Sequence, residues 1–245
     1  MVSEDDILPE FHDFDRVSGW YRQQVLKLRA AELAQTEFLL TLDPDVILCK
    51  PLCYEQLVIE GRALLEPEER RFKARWWRGA ARTLGQLSDL TPAGMSVTPA
   101  LLSRSICRQL FTDLGDKYQR SWQTALLANT FRHWTEYTLY YLAGERHRML
   151  ETFHVMPPRP QDVRLFCHSN VWRHSEIAGW DPHACFGPHD PGLFAVLQSN
   201  SGMTVAAITH RLEGLVDVAH ATPAPTWIRL RSLVEDFRRF TFGRV

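Results

Sequence analysis

The sequence lacks any apolar run close to the ~20 residues that a helix needs to cross a lipid bilayer. Its first residues, Met1–Asp6, are acidic, whereas a secretory signal peptide begins with basic residues. We therefore expect neither a transmembrane segment nor an export signal, and the predicted location is cytoplasmic. With 45% hydrophobic and 23% charged residues, the composition is that of an ordinary globular protein.

A marked excess of charge of either sign is also missing, because 28 Lys and Arg residues nearly balance 29 Asp and Glu residues. The densest basic cluster, residues 70–78, is interrupted by Phe72, Trp76 and Trp77 at helical spacing. No nucleic-acid partner is expected, since no basic stripe could follow a phosphate backbone. The cluster is compatible with an exposed helix face or with a helix that touches an anionic surface.

Cysteine is scarce and unevenly spaced, and no CxxC pair is present. The chain has an odd number of cysteines, which are Cys49, Cys53, Cys107, Cys167 and Cys185. A disulfide framework is therefore not expected, and free thiols are. A zinc site could be drawn from Cys167, His168, His183, Cys185 and His189, but no paired ligand spacing supports it.

The periodicity of the apolar residues predicts a mixed α/β fold. Apolar positions recur at helical intervals from Gly19 to Ala34, and the short run Phe38–Leu42 then predicts a buried strand. Asp43-Pro44-Asp45 ends that strand. In α/β folds ligands gather beyond the carboxyl ends of strands, so this turn is placed where a binding site is expected.

The rest of the chain divides into a regular part and a loop-rich part. A strand pair is predicted on either side of Gly61, and the sequence Val155–Pro191 is rich in proline and histidine and predicts loops. Further helices are predicted over residues 72–84, 101–114, 121–131, 135–142, 204–216 and 227–239. The predicted organisation is an α/β core over residues 1–150 and a loop-rich, helical C-terminal region over residues 151–245, packed on the core.

The two carboxylates of Asp43 and Asp45 are the first candidates for chemistry. Two acidic side chains two positions apart can bind a hard divalent cation directly or through water. The bland alternative is an ordinary turn, because Asp and Pro are common turn residues.

Two segments, one after the other along the chain, resemble bacterial GT-A-type glycosyltransferases, which use nucleotide-sugar donors. The sequence from Gly19 to Asp45 is similar to a "GWYRQQ…KL" helix followed by a strand that ends in an Asp-x-Asp motif. Trp134-Thr135-Glu136-Tyr137 and the following Tyr140 resemble a later "(W/F)SEY…Y" element of the same family. The fold implied is a truncated GT-A-like, Rossmann-like mixed sheet flanked by helices.

The resemblance implies transfer of a sugar from a nucleotide-sugar to a carbohydrate or other hydroxyl acceptor. Asp43 and Asp45 would hold Mn²⁺ or Mg²⁺ against the donor diphosphate, and Glu136 would be the general base near the acceptor. Glu136 could instead simply favour the first turn of its own helix. His168, with His154 as second choice, would be a further metal ligand.

Trp76 and Trp77 could stack on the base or on a sugar ring of the donor. Aromatic residues at this spacing also pack in protein cores or against a partner protein, so both interpretations stay open.

The chain also departs from the GT-A pattern, because the strands that bind base and ribose would precede the Asp-x-Asp motif and only 42 residues do. The chain could be a fragment, could be completed by another chain, or could have lost catalysis. The alternative function is therefore a catalytically inactive, glycosyltransferase-like binding or scaffolding protein. A truncated sheet would expose an edge strand, which predicts a homo-oligomer or a partner protein. A metal-dependent hydrolase is a third option without a recognisable ligand spacing.

Overall fold

A computed structural model describes residues 7–216, except residues 9, 10, 12, 13, 15, 158, 160 and 161. Over these residues the protein is mixed α/β, with helices and several small sheets, so the predicted fold class is confirmed. The helix predicted over residues 227–239 and the acidic N-terminal residues 1–6 lie outside the described part. None of the described helices is long and apolar enough to cross a membrane.

The α-helices of the described residues alternate with short strands. The helices are α1 (Gly19–Leu33), α2 (Tyr54–Leu57), α3 (Ala74–Leu84), α4 (Arg104–Tyr118), α5 (Trp122–Leu127), α6 (Glu136–Arg146), α7 (Leu150–Phe153), α8 (Pro182–Phe186) and α9 (Val205–Leu212). The strands are β1 (Phe38–Thr41), β2 (Val46–Leu48), β3 (Val58–Ile59), β4 (Arg62–Leu64), β5 (Glu68–Glu69), β6 (Ala93–Gly94), β7 (Ala100–Ser103), β8 (His154–Val155), β9 (Arg164–Phe166) and β10 (Gly192–Val196).

The chain forms two compact units. The first comprises Met1–Leu42 and Leu52–Leu165, and the second comprises Asp43–Pro51 and Phe166–Val245. The expected division lay at residue 150, whereas the first unit continues to Leu165 and a short early segment, Asp43–Pro51, groups with the C-terminal unit. The sequence alone could not show that Asp43–Pro51 belongs to the second unit, because its strand β2 pairs with β10, which lies far along the chain.

The first unit is built on a helical core. Helix α4 begins where the Ser103 side chain accepts a hydrogen bond from the Ile106 amide, which satisfies a backbone donor that the first turn leaves open. One face of α4 is buried together with faces of α1, α3 and α6. Trp122 of α5 stacks on Phe111 of α4 with ring centroids 4.2 Å apart.

Two sequence predictions in this unit need correction. The helix predicted from Leu101 begins at Arg104, because residues 100–103 are fully buried as strand β7. Strand β1 is present as predicted and pairs antiparallel with β7, but it is not the fully buried strand that its apolar run predicts. A short apolar run carries no signal for strand direction, and three of the four β1 residues are only half-buried.

The predicted strand pair around Gly61 is confirmed. Strands β3 and β4 are antiparallel, and Glu60 and Gly61 between them have positive φ angles of 50° and 76°. This backbone conformation is the one that tight hairpin turns need. Strand β4 also pairs with β8, in parallel.

In the second unit, strands β2 and β10 pair antiparallel. Strand β10 is buried along its whole length, and its first residue must be glycine. A Cβ atom on Gly192 would lie 2.3 Å from the backbone nitrogen and Cα of Cys167, which is closer than any side chain can approach. The described apolar clusters of this unit are small, and one of them consists mainly of cysteines.

Candidate functional site

The Asp-x-Asp motif lies in the turn between β1 and β2, within the second unit. The turn is closed by a hydrogen bond from the Val46 amide to the Asp43 carbonyl, at 3.2 Å. Asp45 is held to the C-terminal part of the same unit, because its carbonyl accepts from the Leu197 amide and its Oδ2 accepts from the Ser199 amide, both at 2.8 Å. The backbone and one carboxylate oxygen of Asp45 are therefore fixed.

The other carboxylate oxygen of Asp45 is buried without a hydrogen-bond partner among the described residues. Burial raises the pKa of Asp45; the hydrogen bond from Ser199 opposes this shift, and the nearby charge of Asp43 adds to it. A carboxylate that is desolvated beside a second carboxylate is stabilised by a bound cation. Asp45 thus has both an available oxygen and an electrostatic reason to bind a hard divalent ion.

The histidines chosen from the sequence differ in their surroundings. The His168 side chain is 70% exposed, and its Nδ1 lies 3.4 Å from Oδ1 of the buried Asp190, in the second unit. Its role as a metal ligand stays a prediction. His154 lies in the first unit, where Nε2 contacts the Tyr140 hydroxyl at 2.5 Å and Nδ1 contacts the Ala63 carbonyl at 3.2 Å.

His154 therefore has both ring nitrogens engaged inside the core. Burial lowers the pKa of His154 to about 4, so the ring is neutral at physiological pH. Its Nδ1–H can donate a hydrogen bond to the Ala63 carbonyl while Nε2 accepts one from the Tyr140 hydroxyl, so both nitrogens are satisfied. A metal role for His154 would require one of these two contacts to break, and it stays a prediction.

Glu136 is the first residue of α6 and is completely buried. Its carboxylate accepts a hydrogen bond from Lys27 Nζ at 2.9 Å, in an ion pair whose side chains are 0% and 9% exposed. The amide of Gln24, turned with its nitrogen toward the carboxylate, donates to both oxygens. Lys27 also donates to the Tyr137 hydroxyl at 3.3 Å, which lies 3.0 Å from the Thr41 hydroxyl.

This arrangement ties Glu136 to the end of β1, since Thr41 is the last residue of that strand. It also encloses the carboxylate, so a general base at this position could not reach an acceptor in this conformation. The geometry instead suits a residue that orients its neighbours. Sequence reasoning could not distinguish the two roles, because Lys27 and Gln24 are more than a hundred positions away in the chain.

The two adjacent tryptophans of α3 face different surroundings. Trp77 is fully buried, with the Arg70 guanidinium 4.5 Å above its ring and the Tyr141 ring edge-on at 5.6 Å. Stacking of Trp77 on a base or sugar would require this packing to open, and it stays a prediction. Trp76 is half-buried and packs against the exposed Trp20 at 6.1 Å, so a ligand contact there stays a prediction.

A group of buried cysteines in the second unit was only partly anticipated. One ligand atom each of Cys167, Cys185 and Asp190 lies within 4.8 Å of the others, and all three residues are buried. Cys49 packs against the same two cysteines. The exposed His183 and His189, which a sequence-based zinc site would include, do not belong to this group. Sequence order gave no signal for Cys49, because the pairing of β2 with β10 brings it there.

Comparisons with known proteins place the chain in a family without indicating an activity. A search of curated proteins and a search of solved structures each gave no significant match. A family model described as "Family of unknown function (DUF6492)" matches residues 1–220, most of the chain. The chain belongs to the DUF6492 family.

Proposed function

We propose that this protein is a metal-dependent glycosyltransferase that moves a sugar from a nucleotide-sugar donor to a carbohydrate or other hydroxyl acceptor. Asp43 and Asp45 would hold Mn²⁺ or Mg²⁺, and the diphosphate of the donor would bind there. The observation that carries the proposal is a buried oxygen of Asp45 that has no hydrogen-bond partner in the described part of the chain and lies near the second carboxylate of the motif.

The residues present fit a hard divalent ion. Asp45 is already oriented by the Ser199 amide on its Oδ2, and a ligand that is fixed in this way loses little conformational freedom when an ion binds. Such an ion supplies Lewis-acid stabilisation of the diphosphate leaving group. The contribution of the chain is to present two carboxylates on a turn whose backbone is held by the Val46–Asp43 and Leu197–Asp45 hydrogen bonds.

In this proposal Glu136 is a positioning residue. Through Lys27 and Tyr137 it fixes Thr41, and the metal-binding turn begins two residues later in the chain. Loss of this order would weaken donor binding without removing a ligand to the ion. Glu136→Gln should therefore reduce metal-dependent nucleotide binding less than Asp45→Asn does.

The proposal is tested by a thermal-shift screen against a panel of nucleoside diphosphates, with and without Mn²⁺. A ligand that binds only the native state raises the melting temperature. We expect one nucleotide to stabilise the chain only when Mn²⁺ is present, and Asp43→Asn and Asp45→Asn to lose this response. Asp116→Asn is the matched control, because Asp116 is exposed and lies in the other unit.

Hydrolysis of the matching nucleotide-sugar then tests transfer chemistry, with water as the acceptor. Metal-dependent release of the nucleoside diphosphate that is lost in Asp45→Asn supports the enzyme. Nucleotide binding that persists in Asp45→Asn would refute the metal assignment.

A second function is favoured by the burial of Glu136. Because the predicted general base is enclosed and ion-paired, the chain is also suited to a binding or scaffolding role that needs no chemistry. This alternative predicts no metal-dependent stabilisation by any nucleotide, and it predicts a partner chain or a homo-oligomer. Light scattering of the purified chain tests that prediction, and a monomer would contradict it.

A further inference from the structure

The second unit contains four buried side chains that carry metal-ligand atoms. They come from three separate parts of the chain. Cys49 directly follows β2, and Cys167 directly follows β9. The third part supplies both Cys185, on α8, and Asp190, in the turn before β10. Their exposed fractions are 6% or less. One ligand atom each of Cys167, Cys185 and Asp190 lies within 4.8 Å of the others. Cys49 is not part of that group of three, but it packs in the same buried cluster as Cys167 and Cys185.

We propose that Cys49, Cys167, Cys185 and Asp190 form a structural zinc site. Three thiolates and one carboxylate give the four ligands of a closed, tetrahedral zinc centre. Thiolates are soft ligands that select zinc over Mg²⁺ or Mn²⁺, so this site is chemically distinct from the Asp43–Asp45 motif. Zinc–sulfur bonds of about 2.3 Å place ligand atoms roughly 3.8 Å apart, which is comparable with the 4.8 Å within which the ligand atoms of Cys167, Cys185 and Asp190 lie.

The surroundings of Asp190 support a ligand role. Its Oδ2 accepts from the His168 amide at 2.9 Å and its Oδ1 accepts from the Gly192 amide at 2.8 Å. These two bonds orient the carboxylate and leave further acceptor capacity on both oxygens. Backbone donors of this kind commonly orient a ligand that binds a metal. The exposed His168 ring also lies near this carboxylate, with Nδ1 3.4 Å from Oδ1.

The backbone is also shaped to bring the ligands together. Gly192 lets β10 approach the Cys167 backbone to a distance that no Cβ atom would allow. The Cys49 amide donates to the Leu193 carbonyl at 2.8 Å, which fixes Cys49 beside the same strand. The Cys185 thiol lies 3.1 Å from the Ser169 carbonyl, as a hydrogen-bond donor. On zinc binding, that proton and those of the Cys49 and Cys167 thiols would be released to solvent, as metal ligation by cysteine requires.

A structural role follows from where the ligands lie. The region between β9 and β10 is mostly loops, and the two apolar clusters described for residues of this unit are small. Zinc bound to ligands from distant parts of the chain would contribute its binding free energy to folding. The site would fasten β2, which follows the Asp-x-Asp turn, to the C-terminal segments of the unit. The alternative without a metal ion is that the cysteines pack as small apolar residues.

Metal analysis of the full chain, purified under reducing conditions from zinc-supplemented medium, tests the proposal. We expect about one zinc ion per chain by mass spectrometry of the metal. Cys185→Ser and Cys49→Ser should lose it, whereas Cys53→Ser should retain it, because Cys53 is exposed and lies in the other unit. Zinc content that falls equally in Cys53→Ser would overturn the assignment.

Cobalt substitution gives a second readout that needs no variant, so a folding defect cannot obscure it. Co²⁺ in the unmutated chain should give sulfur-to-cobalt charge-transfer absorption and the visible bands of a tetrahedral ion. An unmutated chain that neither contains zinc nor gives these bands would overturn the proposal. A disulfide between Cys167 and Cys185 in chain isolated with thiols trapped would overturn it as well. Neither measurement involves a nucleotide, so the outcome is independent of the proposed transferase activity.

Discussion

Replacing Lys27 by methionine tests how the buried network around Glu136 stabilises the first unit. The substitution keeps most of the side-chain volume and removes the ammonium group that lies 2.9 Å from the Glu136 carboxylate. Glu136 is completely buried, so its charge would lose a partner that water cannot replace. Removal of one partner of a buried ion pair typically costs about 3–5 kcal/mol. That is a large part of the ~5–15 kcal/mol that stabilises a typical protein.

Chemical denaturation of Lys27→Met, of Glu136→Gln and of the double variant measures this cost. We expect Lys27→Met to be the most destabilising of the three, and the double variant to recover part of the loss, because it contains neither charge. Glu69→Gln is the matched control, since the Arg71–Glu69 pair has side chains that are 70% and 53% exposed. An exposed pair contributes roughly 0–1 kcal/mol.

The reasoning would be refuted if Lys27→Met lost no more stability than Glu69→Gln. Strictly additive effects of the two single substitutions would also contradict it, because residues in direct contact should show a coupling energy. Either result would mean that the pair is solvated in solution, and Glu136 would then be accessible as a general base.

Two further predictions concern packing and pH. Gly192→Ala should destabilise the second unit by about 1–3 kcal/mol, because the new methyl group would overlap the Cys167 backbone. Gly179→Ala is the control and should be tolerated, since the nearest atom to its new methyl group would be 3.9 Å away. The denaturation midpoints of the two variants are compared. Burial raises the pKa of Glu68 from its ordinary value of 4.5 to about 7, so the folded state binds a proton that the unfolded state releases. This contribution to stability is complete below the unfolded pKa and is lost as pH rises from about 4.5 to about 7. Glu68→Gln should therefore flatten the dependence of unfolding free energy on pH in that window. An unchanged slope would show that Glu68 has an ordinary pKa in the folded protein.

Local features of this fold could be predicted from the sequence, because they depend on neighbouring residues. Helix α1 follows from its apolar spacing, and the β3–β4 hairpin follows from Gly61 between two apolar runs. The start of α4 was missed by three residues, since Leu101 and Leu102 suit a buried strand as well as a helix. Burial against the rest of the core decides between these states, and a local window does not contain that information.

Features that join distant parts of the chain could not be predicted. The antiparallel direction of β1 depends on β7, and the membership of β2 in the second unit depends on β10. The same limitation applies to the candidate sites. Asp43 and Asp45 can be found from the sequence because they lie two positions apart, whereas the grouping of Cys49 with Cys167 depends on the β2–β10 pairing.

Glu136 shows how far the role of a single residue can be predicted from the sequence. Its position at the start of a helix was predicted, and so was the electrostatic benefit of an acid there. Its burial and its ion pair with Lys27 were not, because they arise from the packing of α6 against α1. A motif identifies a residue type in sequence, but whether its carboxylate meets solvent depends on the tertiary structure.

Calorimetric titration of the best-stabilising nucleoside diphosphate into the chain with Mn²⁺, compared with Asp45→Asn, tests the central claim most directly. The proposed site predicts binding to the unmutated chain only when Mn²⁺ is present. It predicts that Asp45→Asn weakens this binding by at least about tenfold, which corresponds to about 1.4 kcal/mol. It also predicts that the apo form of Asp45→Asn is no less stable than the original, because a desolvated charge has been removed. Equal affinity in both chains, or binding that is indifferent to Mn²⁺, would contradict a metal site at Asp43 and Asp45.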